Sequence, residues 1–290
     1  MRVLVTGGSG FLGMHTIPIL RRAGLDVVAL VRSETSSNAV KSRGASPLRG
    51  DLDRPEDLER VFASAESEVL LNIASLGFGH ASAVVTAAKG SGFTRSVYLS
   101  TTAVETNLNA PSKKVRLEAE LTIKSGDIPW TIVRPTMIYG APGDRNIERL
   151  LRVLRKAPVV PIPGGGGRLQ QPVHVEDLAQ ALVDLLLTED TVGKTYAVAG
   201  PEPLSFRRLV EEAKDAVSSR SRLVRVPLAP AIWAARGYER LASHPRIRAE
   251  QLERLAEDKA FSIQPAQRDW GYGPRPFALG VAQEAAALWP

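Results

Sequence analysis

Short apolar runs alternate with stretches of helical period through the first two thirds of the chain. The runs are RVLVT, VVALV, EVLLNIA, SVYLS and WTIVR, and stretches such as GFLGMHTIPILRRAG and EAELTIKSG separate them. Strands whose successive residues are all apolar are covered on both faces, because neither face meets water. The alternation therefore predicts an α/β fold with a doubly wound parallel sheet. A chain of 290 residues is long enough for such a domain and a smaller companion.

Composition excludes several classes of protein and of site. The chain has no cysteine, so disulfides, zinc thiolate sites and thiol nucleophiles are excluded, and its four histidines are too scattered to predict a metal site. The start, MRVLVTGGSG, lacks the features of a signal peptide, and no run of about 18 apolar residues occurs. We therefore expect a soluble, cytoplasmic protein. The formal net charge is +6, but acidic residues accompany the basic ones, so no nucleic acid partner is expected.

The segment VTGGSGFLG joins the first predicted strand to the first predicted helix. It places Gly7 where a tight turn is needed, Gly10 where the backbone approaches a pyrophosphate, and Gly13 where helix and strand pack closely. The N-terminus of the helix offers unpaired N–H groups to such an anion. At this position in the chain, the glycine spacing predicts a dinucleotide-binding Rossmann domain.

Residues after the second and third predicted strands bear on the choice of cofactor. Arg32 follows VVALV, where folds selective for NAD usually offer a carboxylate to the ribose 2′-hydroxyl. A guanidinium there can bind a 2′-phosphate, so NADP(H) is preferred over NAD(H), although a solvated arginine at a strand end is the alternative. A short third strand is predicted between VVALV and EVLLNIA. Asp51 ends it at a place suited to the adenine amino group. Asp53 is predicted to cap the helix that PEDLERVF begins.

The pattern of strands and helices changes after Gly140. A helix, a glycine-rich connection and a short strand follow, and the chain from Pro201 onward is mostly helical. We predict a Rossmann domain formed by residues 1–140 and 171–200, and a smaller, mostly helical C-terminal substrate lobe formed by residues 141–170 and 201–290. Ligands of open α/β sheets bind beyond the carboxyl ends of the strands, and such a lobe is well placed to cover that edge.

Seven segments carry a resemblance to a known family, and they span nearly the whole chain. They are VTGGSGFLG, GDL, VYLSTTAV, LEAE, IVRPTMIYG, VHVEDLA and GYGPRPFALG. Together they resemble the extended and atypical short-chain dehydrogenase/reductases of the NAD-dependent epimerase/dehydratase superfamily. A looser similarity is to the nucleotide-binding accessory subunit of respiratory complex I. We assign further cofactor contacts to the first turn of the first helix and to strand ends: Phe11, Leu12, Leu52, Ala74, Ser100 and Pro135.

The resemblance implies a catalytic Ser/Thr, Tyr and Lys set, in which the lysine lowers the pKa of the tyrosine. Matching STTA places Thr102 in the Ser/Thr position. Matching SKKVRLEAE, anchored on Glu120, places Ser112 where the tyrosine belongs and Arg116 where the lysine belongs. Serine is far less acidic than a phenol, and arginine keeps its proton, so ordinary acid/base catalysis by this pair is in doubt. We expect Ser112 to be a helix N-cap and Arg116 to hold the nicotinamide ribose or a backbone carbonyl.

Replacement acid/base candidates lie at other strand ends. His80 follows the fourth predicted strand, and Tyr139 follows the sixth. An imidazole titrates in the useful pH range, but for both residues a structural role is the favoured alternative.

Two functions are consistent with this sequence. The first is an NADP(H)-dependent oxidoreductase or epimerase/dehydratase-type enzyme acting on a nucleotide-sugar, sugar-like or isoprenoid/lipid substrate. The second is a non-catalytic NADP(H)-binding redox sensor or complex-assembly protein. We favour the enzyme, and a homodimer or a protein complex is left open. An apolar stripe that carries Trp233 and Tyr238 is more typical of a core than of a membrane contact, so no membrane contact is expected.

Overall fold

The computed structural model describes residues 1–107, 111–140, 143–241, 253 and 256–289. The chain forms two compact units. The first contains Met1–Thr136, Val175–Val198 and Ser262–Gly273, and the second contains Met137–His174, Ala199–Phe261 and Pro274–Pro290. These bounds differ from the predicted 201–290 lobe, because the segment Ser262–Gly273 belongs to the first unit.

Hydrogen bonds explain why that late segment joins the first unit. The Asp269 carboxylate accepts a hydrogen bond of 2.6 Å from the Tyr196 hydroxyl and one of 2.9 Å from the Lys194 ammonium, and both partners lie in a strand of the first unit. The hydrogen bonds from Tyr196 and Lys194 hold the pKa of Asp269 well below its usual range. These hydrogen bonds, together with the packing of Trp270 against Tyr196 at 4.7 Å, therefore hold this segment on the first unit.

A parallel sheet of seven strands forms the centre of the first unit, which confirms the predicted fold class. Its strands are β1 (Arg2–Thr6), β2 (Asp26–Val31), β3 (Ser46–Arg49), β4 (Val69–Asn72), β5 (Arg95–Leu99), β6 (Trp130–Pro135) and β11 (Lys194–Val198). The order across the sheet is β11-β6-β5-β4-β1-β2-β3, and every pair is parallel. Leu4 of β1 lies between Val28 of β2 and Leu70 of β4, and all three side chains are buried.

Helices pack against this sheet, and they are α1 (Phe11–Arg22), α2 (Glu34–Lys41), α3 (Pro55–Ser64), α4 (Ala81–Lys89), α5 (Pro111–Lys124), α7 (Val175–Leu187) and α10 (Gln264–Trp270). Helix α1 ends at Arg22, and Gly24 takes a left-handed φ of +78° two residues later. A Gly is favoured there because it has no Cβ to clash.

Asp53 and Ser112 are not the N-caps that the sequence predicted. Both helices begin at a proline. Helix α3 begins at Pro55 with Arg54 as its flanking residue, so Asp53 lies one position too early to cap it. Helix α5 begins at Pro111, so Ser112 is already its second residue. Proline suits the first helical position, because its φ is already helical and the N–H it lacks would have no partner there.

The second unit combines helices with two-stranded sheets. Its strands are β7 (Ile138–Tyr139), β8 (Val159–Pro163), β9 (Leu169–Gln170), β10 (Val173–His174), β12 (Leu204–Ser205) and β13 (Arg222–Val226), and its helices are α6 (Ile147–Lys156), α8 (Phe206–Ala216), α9 (Leu228–Leu241) and α11 (Phe277–Leu288). Strands β7, β9 and β8 pair with β10, β12 and β13 respectively. Its core buries Leu151, Ile162, Val210 and Val281 completely. Within the described ranges of both units, no helix is long and apolar enough to cross a membrane.

Candidate functional site

The turn after β1 requires glycine at two positions. Gly7 has a φ of +72°, and a Cβ at this residue would lie 2.7 Å from the backbone nitrogen of Ala74. A Cβ at Gly13 would lie 2.5 Å from the carbonyl oxygens of Gly7 and Gly8. Only glycine fits such close approaches of backbone to backbone. The turn, the start of α1 and the segment after β4 therefore form one tight group, which we call the glycine cradle (residues 7–13 and Ala74).

The N-terminus of α1 is open to an anion. Gly10 is its N-cap, no side chain caps the helix, and its first turn carries no acidic residue. The first N–H groups of a helix have no partner within the helix, and the helix dipole favours a negative charge there. Next to these groups, Phe11 makes an edge contact with His15, and Leu12 is buried. The glycine cradle thus has the shape and the donors that a dinucleotide pyrophosphate requires.

Two buried polar residues that the sequence analysis missed hold the cradle in place. The Thr6 hydroxyl donates to the side-chain carbonyl of Asn72 at 2.7 Å, and the Asn72 amide donates to the carbonyl of Ala74 at 3.1 Å. Both side chains are almost completely buried. The sequence signal that could have revealed this role is the asparagine at the end of the otherwise apolar run VLLN.

Arg32 is the first residue after β2, and its side chain is 71% exposed. The described residues place one carboxylate near it, since Asp53 Oδ2 lies 3.9 Å from Arg32 Nη1. The other oxygen of Asp53 lies 3.5 Å from His80 Nε2. His80 is the flanking residue of α4 and lies against Phe78. The structure thus brings Arg32, Asp53 and His80 together beside the loop that follows β3.

Asp51 and Leu52 lie in that same loop and are half-buried. Asp51 Oδ1 accepts a hydrogen bond of 3.1 Å from the backbone N–H of Asp53. This bond closes a local turn of the kind that aspartate favours. Leu52 packs against the core of the first unit. Both residues therefore have structural contacts in addition to the cofactor contacts predicted for them.

A buried ion pair joins α5 to the ends of β5 and β6. Glu120 is 2% exposed and accepts hydrogen bonds from Arg134 at 2.6 and 3.0 Å and from the Ser100 hydroxyl at 2.6 Å. Burial alone would raise the pKa of Glu120, but the bonds from Arg134 and Ser100 and the charge of Arg134 bring that pKa below its ordinary value. Arg134 also binds Glu105 at 2.9 Å. In the sequence, Glu120 served only to align the α5 segment with the family, and this network was not predicted.

Thr102 begins a short 3-10 turn after β5 and is buried. Its hydroxyl donates a hydrogen bond of 3.2 Å to the carbonyl of Pro135, the last residue of β6. Thr102, Ser100 and Pro135 therefore meet at the carboxyl edge of the sheet, where ligands of such folds bind.

Arg116 packs against the segment that follows β4. A Cβ at Gly77 would lie 3.0 Å from Arg116 Nη2 and 3.1 Å from Cζ, so the guanidinium lies directly on this glycine. Ser112 is one turn earlier on α5 and is half-buried, and its carbonyl is 3.5 Å from Arg116 Nη1. Lys113, on the first turn of α5, donates a hydrogen bond to the carbonyl of Thr106. Helix α5 therefore presents two cations, but no phenol, to this edge.

Tyr139 lies in the second unit and is 1% exposed. Its ring makes an edge contact with His174 at 5.3 Å and lies 5.0 Å from Phe277. A Cβ at Gly280 would lie 2.2 Å from its hydroxyl oxygen, so this glycine is needed to accommodate the phenol. These contacts favour the packing role over the catalytic one.

Comparison with known proteins agrees with this geometry. The chain is 26% identical to the 4-hydroxy-2-methyl-3-oxo-4-farnesyl-3,4-dihydroquinoline-1-oxide ketoreductase of Stigmatella aurantiaca, over 95% of this chain and 92% of the relative. It is 28% identical to NADH dehydrogenase (ubiquinone) 1 alpha subcomplex subunit 9 of Arabidopsis thaliana, over 81% of this chain and 63% of the relative.

Solved structures show the same fold. The triphenylmethane reductase of Citrobacter sp. matches with a TM-score of 0.80 and 22% identity, over 99% of this chain and all of that one. The family model described as NAD(P)H-binding matches residues 7–189, which include the glycine cradle and strands β2 to β6 of the sheet. Because this match covers more than half of the chain, the protein belongs to the NAD(P)H-binding family.

Proposed function

We propose that the protein is an NADPH-dependent reductase that reduces a carbonyl group of an isoprenoid or lipid-like substrate. The observation that carries this proposal is the glycine cradle, in which Gly7 and Gly13 leave no room for a Cβ and α1 offers its uncapped N-terminus. Asp51 and Arg32 follow the adjacent strands β3 and β2, where the adenosine part of a dinucleotide is bound in such folds.

Arg32 supports NADPH as the preferred coenzyme. Its guanidinium is exposed and is the right group for a 2′-phosphate, which it can bind through two parallel hydrogen bonds. Asp53 opposes this preference, because its carboxylate lies 3.9 Å from the guanidinium and would repel the phosphate. NADPH, when bound, would supply a hydride to the carbonyl carbon, and the carbonyl oxygen must also receive a proton.

The proton cannot come from the usual pair. Ser112 is a much weaker acid than a phenol, and Arg116 does not release its proton at physiological pH. We assign Arg116 the role of a fixed positive charge that stabilises negative charge developing on the substrate oxygen. We assign Thr102 the role of a hydroxyl that binds this oxygen after turning away from the Pro135 carbonyl. The proton itself is then drawn from a water molecule.

The substrate class rests on the relatives. Sequence alone left nucleotide sugars, sugar-like molecules and isoprenoid or lipid molecules open. The ketoreductase of Stigmatella aurantiaca has a farnesyl group in the name of its substrate, and its alignment covers 95% of this chain. This favours a ketone that carries a long apolar group.

Coenzyme titrations test the first half of the proposal. NADPH should bind more tightly than NADH, and Arg32→Ala should weaken NADPH binding by roughly 1–3 kcal/mol with little effect on NADH. Arg60→Ala is the matched control, because Arg60 is equally exposed, at 75%, but lies on α3. Asp53→Asn should strengthen NADPH binding. Equal binding of NADH and NADPH by the parent protein would refute the coenzyme preference, and full NADPH affinity after Gly10→Val would refute the site.

Turnover assays test the second half. NADPH oxidation should be measured with ketones that carry alkyl or isoprenoid chains and with nucleotide sugars as the comparison. Thr102→Ala should lower kcat more than Ser112→Ala or His80→Ala does. Loss of turnover in Ser112→Ala alone, with folding intact, would show that the serine is chemically active and would contradict the assigned roles.

One observation favours a second function, a non-catalytic NADP(H)-binding protein. Helix α5 carries Ser112 and Arg116 in place of an acid/base pair, and one relative is a subunit of NADH dehydrogenase. Tight NADPH binding without turnover of any carbonyl tested, in the parent and in Ser112→Tyr/Arg116→Lys, would favour this function over the reductase.

A further inference from the structure

A basic cleft lies in the second unit, on surface that the proposed reductase function does not use. The end of α6, the turn after α8 and the start of β13 enclose a space of about 660 Å³. Four cations line it, together with apolar and hydroxyl groups: Arg155, Lys156, Arg220, Arg222, Val159 and Ser219.

The four cations of the basic cleft have no acidic partners within the described part of the chain. None of them forms an ion pair with Asp or Glu there, and all four are exposed. Elsewhere on the same unit, Arg207 and Arg208 bind Glu211 and Glu212 at 2.9 and 2.8 Å. The cleft therefore concentrates four positive charges that have no ion pair, in contrast to Arg207 and Arg208.

Helix stabilisation does not account for this cluster. Basic residues at the C-terminal end of a helix commonly bond its last carbonyl groups. Here the carbonyl of Leu154 accepts a hydrogen bond from the Ser219 hydroxyl, and the carbonyl of Ala157 accepts one from the Ser221 hydroxyl. Because serines satisfy these carbonyls, the neighbouring cations remain available to a ligand.

One arginine of the cleft is held in position by an aromatic ring. The Arg155 guanidinium lies 4.2 Å from the centre of the Trp289 ring, and Arg152 lies 5.8 Å from it. Arg155 and Lys156 also line a second, smaller cavity of about 360 Å³ together with Arg152 and Trp289. Arg152 is paired with Glu148 at 2.8 Å, so the uncompensated charge of this second cavity comes from Arg155 and Lys156. Stacking restrains the Arg155 side chain, so binding an anion costs it less conformational entropy.

We propose that this cleft binds an anion that carries one or more phosphate groups. Arginine binds phosphate through two parallel hydrogen bonds, and lysine adds a compact charge, so three arginines and one lysine can balance the several negative charges of a phosphorylated ligand. The phosphate belongs either to a soluble phosphorylated molecule or to a lipid headgroup. This site is separate from the glycine cradle, and the proposal does not depend on catalysis.

The experiment compares the parent protein with Arg155→Gln/Arg220→Gln, which removes two of the four charges. Arg207→Gln/Arg208→Gln is the matched control, because it removes the same charge from the same unit outside the cleft. Inorganic pyrophosphate is titrated by calorimetry at low and high salt. Co-sedimentation with phosphatidylcholine vesicles, with and without phosphatidic acid, tests the lipid source. Circular dichroism establishes that each variant is folded.

The parent and the control should bind pyrophosphate, phosphatidic acid vesicles or both, and the cleft variant should bind at least about tenfold more weakly. Raising the salt concentration should weaken binding, because the charges are exposed. Binding of pyrophosphate alone identifies a soluble ligand, and binding of vesicles alone identifies a headgroup. Absence of binding in both arms overturns the proposal. Equal binding by the cleft variant also overturns it, since the anion is then held elsewhere, for example at the N-terminus of α1.

Discussion

Two buried glutamates, one in each unit, show opposite ways of placing a carboxyl group away from water. Glu120 on α5 is 2% exposed, and Glu284 on α11 is 1% exposed. Glu120 accepts three hydrogen bonds from Arg134 and Ser100. Neither oxygen of Glu284 makes a hydrogen bond of normal geometry to the described residues, and its charged neighbours are Asp144 and Glu148.

The neighbours reverse the effect of burial on the pKa. Burial penalises the charged form of both groups. The bonds and charge of Arg134 overcome that penalty and hold the pKa of Glu120 below its ordinary value. Around Glu284, burial and the charges of Asp144 and Glu148 act in the same direction and raise its pKa to about 8. Glu120 is therefore ionised at neutral pH, whereas Glu284 is mostly protonated.

Removal of the partner of Glu120 should have the largest effect. Arg134→Ala leaves an uncompensated buried carboxylate, so we expect a loss of about 3–5 kcal/mol in the free energy of unfolding at pH 7. Urea denaturation measures this loss. Adding Glu120→Gln to the variant should recover part of it, because the buried charge is then absent. A loss below about 1 kcal/mol would contradict this prediction, because it would mean that the pair contributes no more than a surface ion pair does.

Glu284→Gln should raise the free energy of unfolding, in contrast to Arg134→Ala. Because the folded pKa of Glu284 is above the ordinary value of 4.5, its contribution to stability is complete below pH 4.5 and is lost as the pH rises through about 8. Glu284→Gln cannot ionise, so it should be more stable than the parent at pH 8, by about 2 kcal/mol after the cost of burying an amide. At pH 4.5 the ionisation part of this gain is absent and only the cost of the buried amide remains, so the variant should there be no more stable than the parent. A parent protein that gains stability between pH 5 and 8 relative to Glu284→Gln would contradict this assignment.

Ser100→Ala tests how much of the stability provided by the Glu120 network comes from the Ser100 hydrogen bond. The variant loses a hydrogen bond of 2.6 Å to a charged group, so we expect a cost of about 1.5 kcal/mol at pH 7. Glu120 stabilises the fold above its ordinary pKa, and this contribution is lost as the pH falls through the lower folded pKa. The acid transition of the variant should therefore move to a higher pH. Thr94→Ala, which removes a surface hydroxyl from the same unit, is the control and should not move it.

Asp144→Asn should have the smallest effect. Asp144 accepts hydrogen bonds through Oδ1 from the N–H of Asn146 and through Oδ2 from those of Ile147 and Glu148, and the single oxygen of an asparagine can keep the two bonds to Ile147 and Glu148. The substitution removes a negative charge near Glu284, so the pKa of Glu284 should fall by less than about one unit. The midpoint of the pH dependence of stability, measured as above, reports this change. An upward movement of that midpoint would contradict the role given to Asp144.

The sequence by itself determined the features that depend on residues close together in the chain. Continuous apolar runs predicted the parallel sheet, and the spacing of Gly7, Gly10 and Gly13 predicted the glycine cradle, because strand burial and turn geometry follow from local periodicity and from the absence of a Cβ. The same local reasoning was less accurate at helix starts. Asp53 lies one residue before the N-cap of α3, and Ser112, predicted to be an N-cap, is the second residue of α5.

Only the tertiary structure decided what each buried charge meets. Glu120 and Glu284 both lie on helices, and no local pattern shows that one faces Arg134 from another element while the other faces two carboxylates. Likewise, Arg155 and Arg220 are far apart in the chain and line one cleft because α6 and β13 are brought together. The pKa of a carboxyl group and the charge of a cleft depend on burial and on the nearest charges, and packing between distant segments sets both.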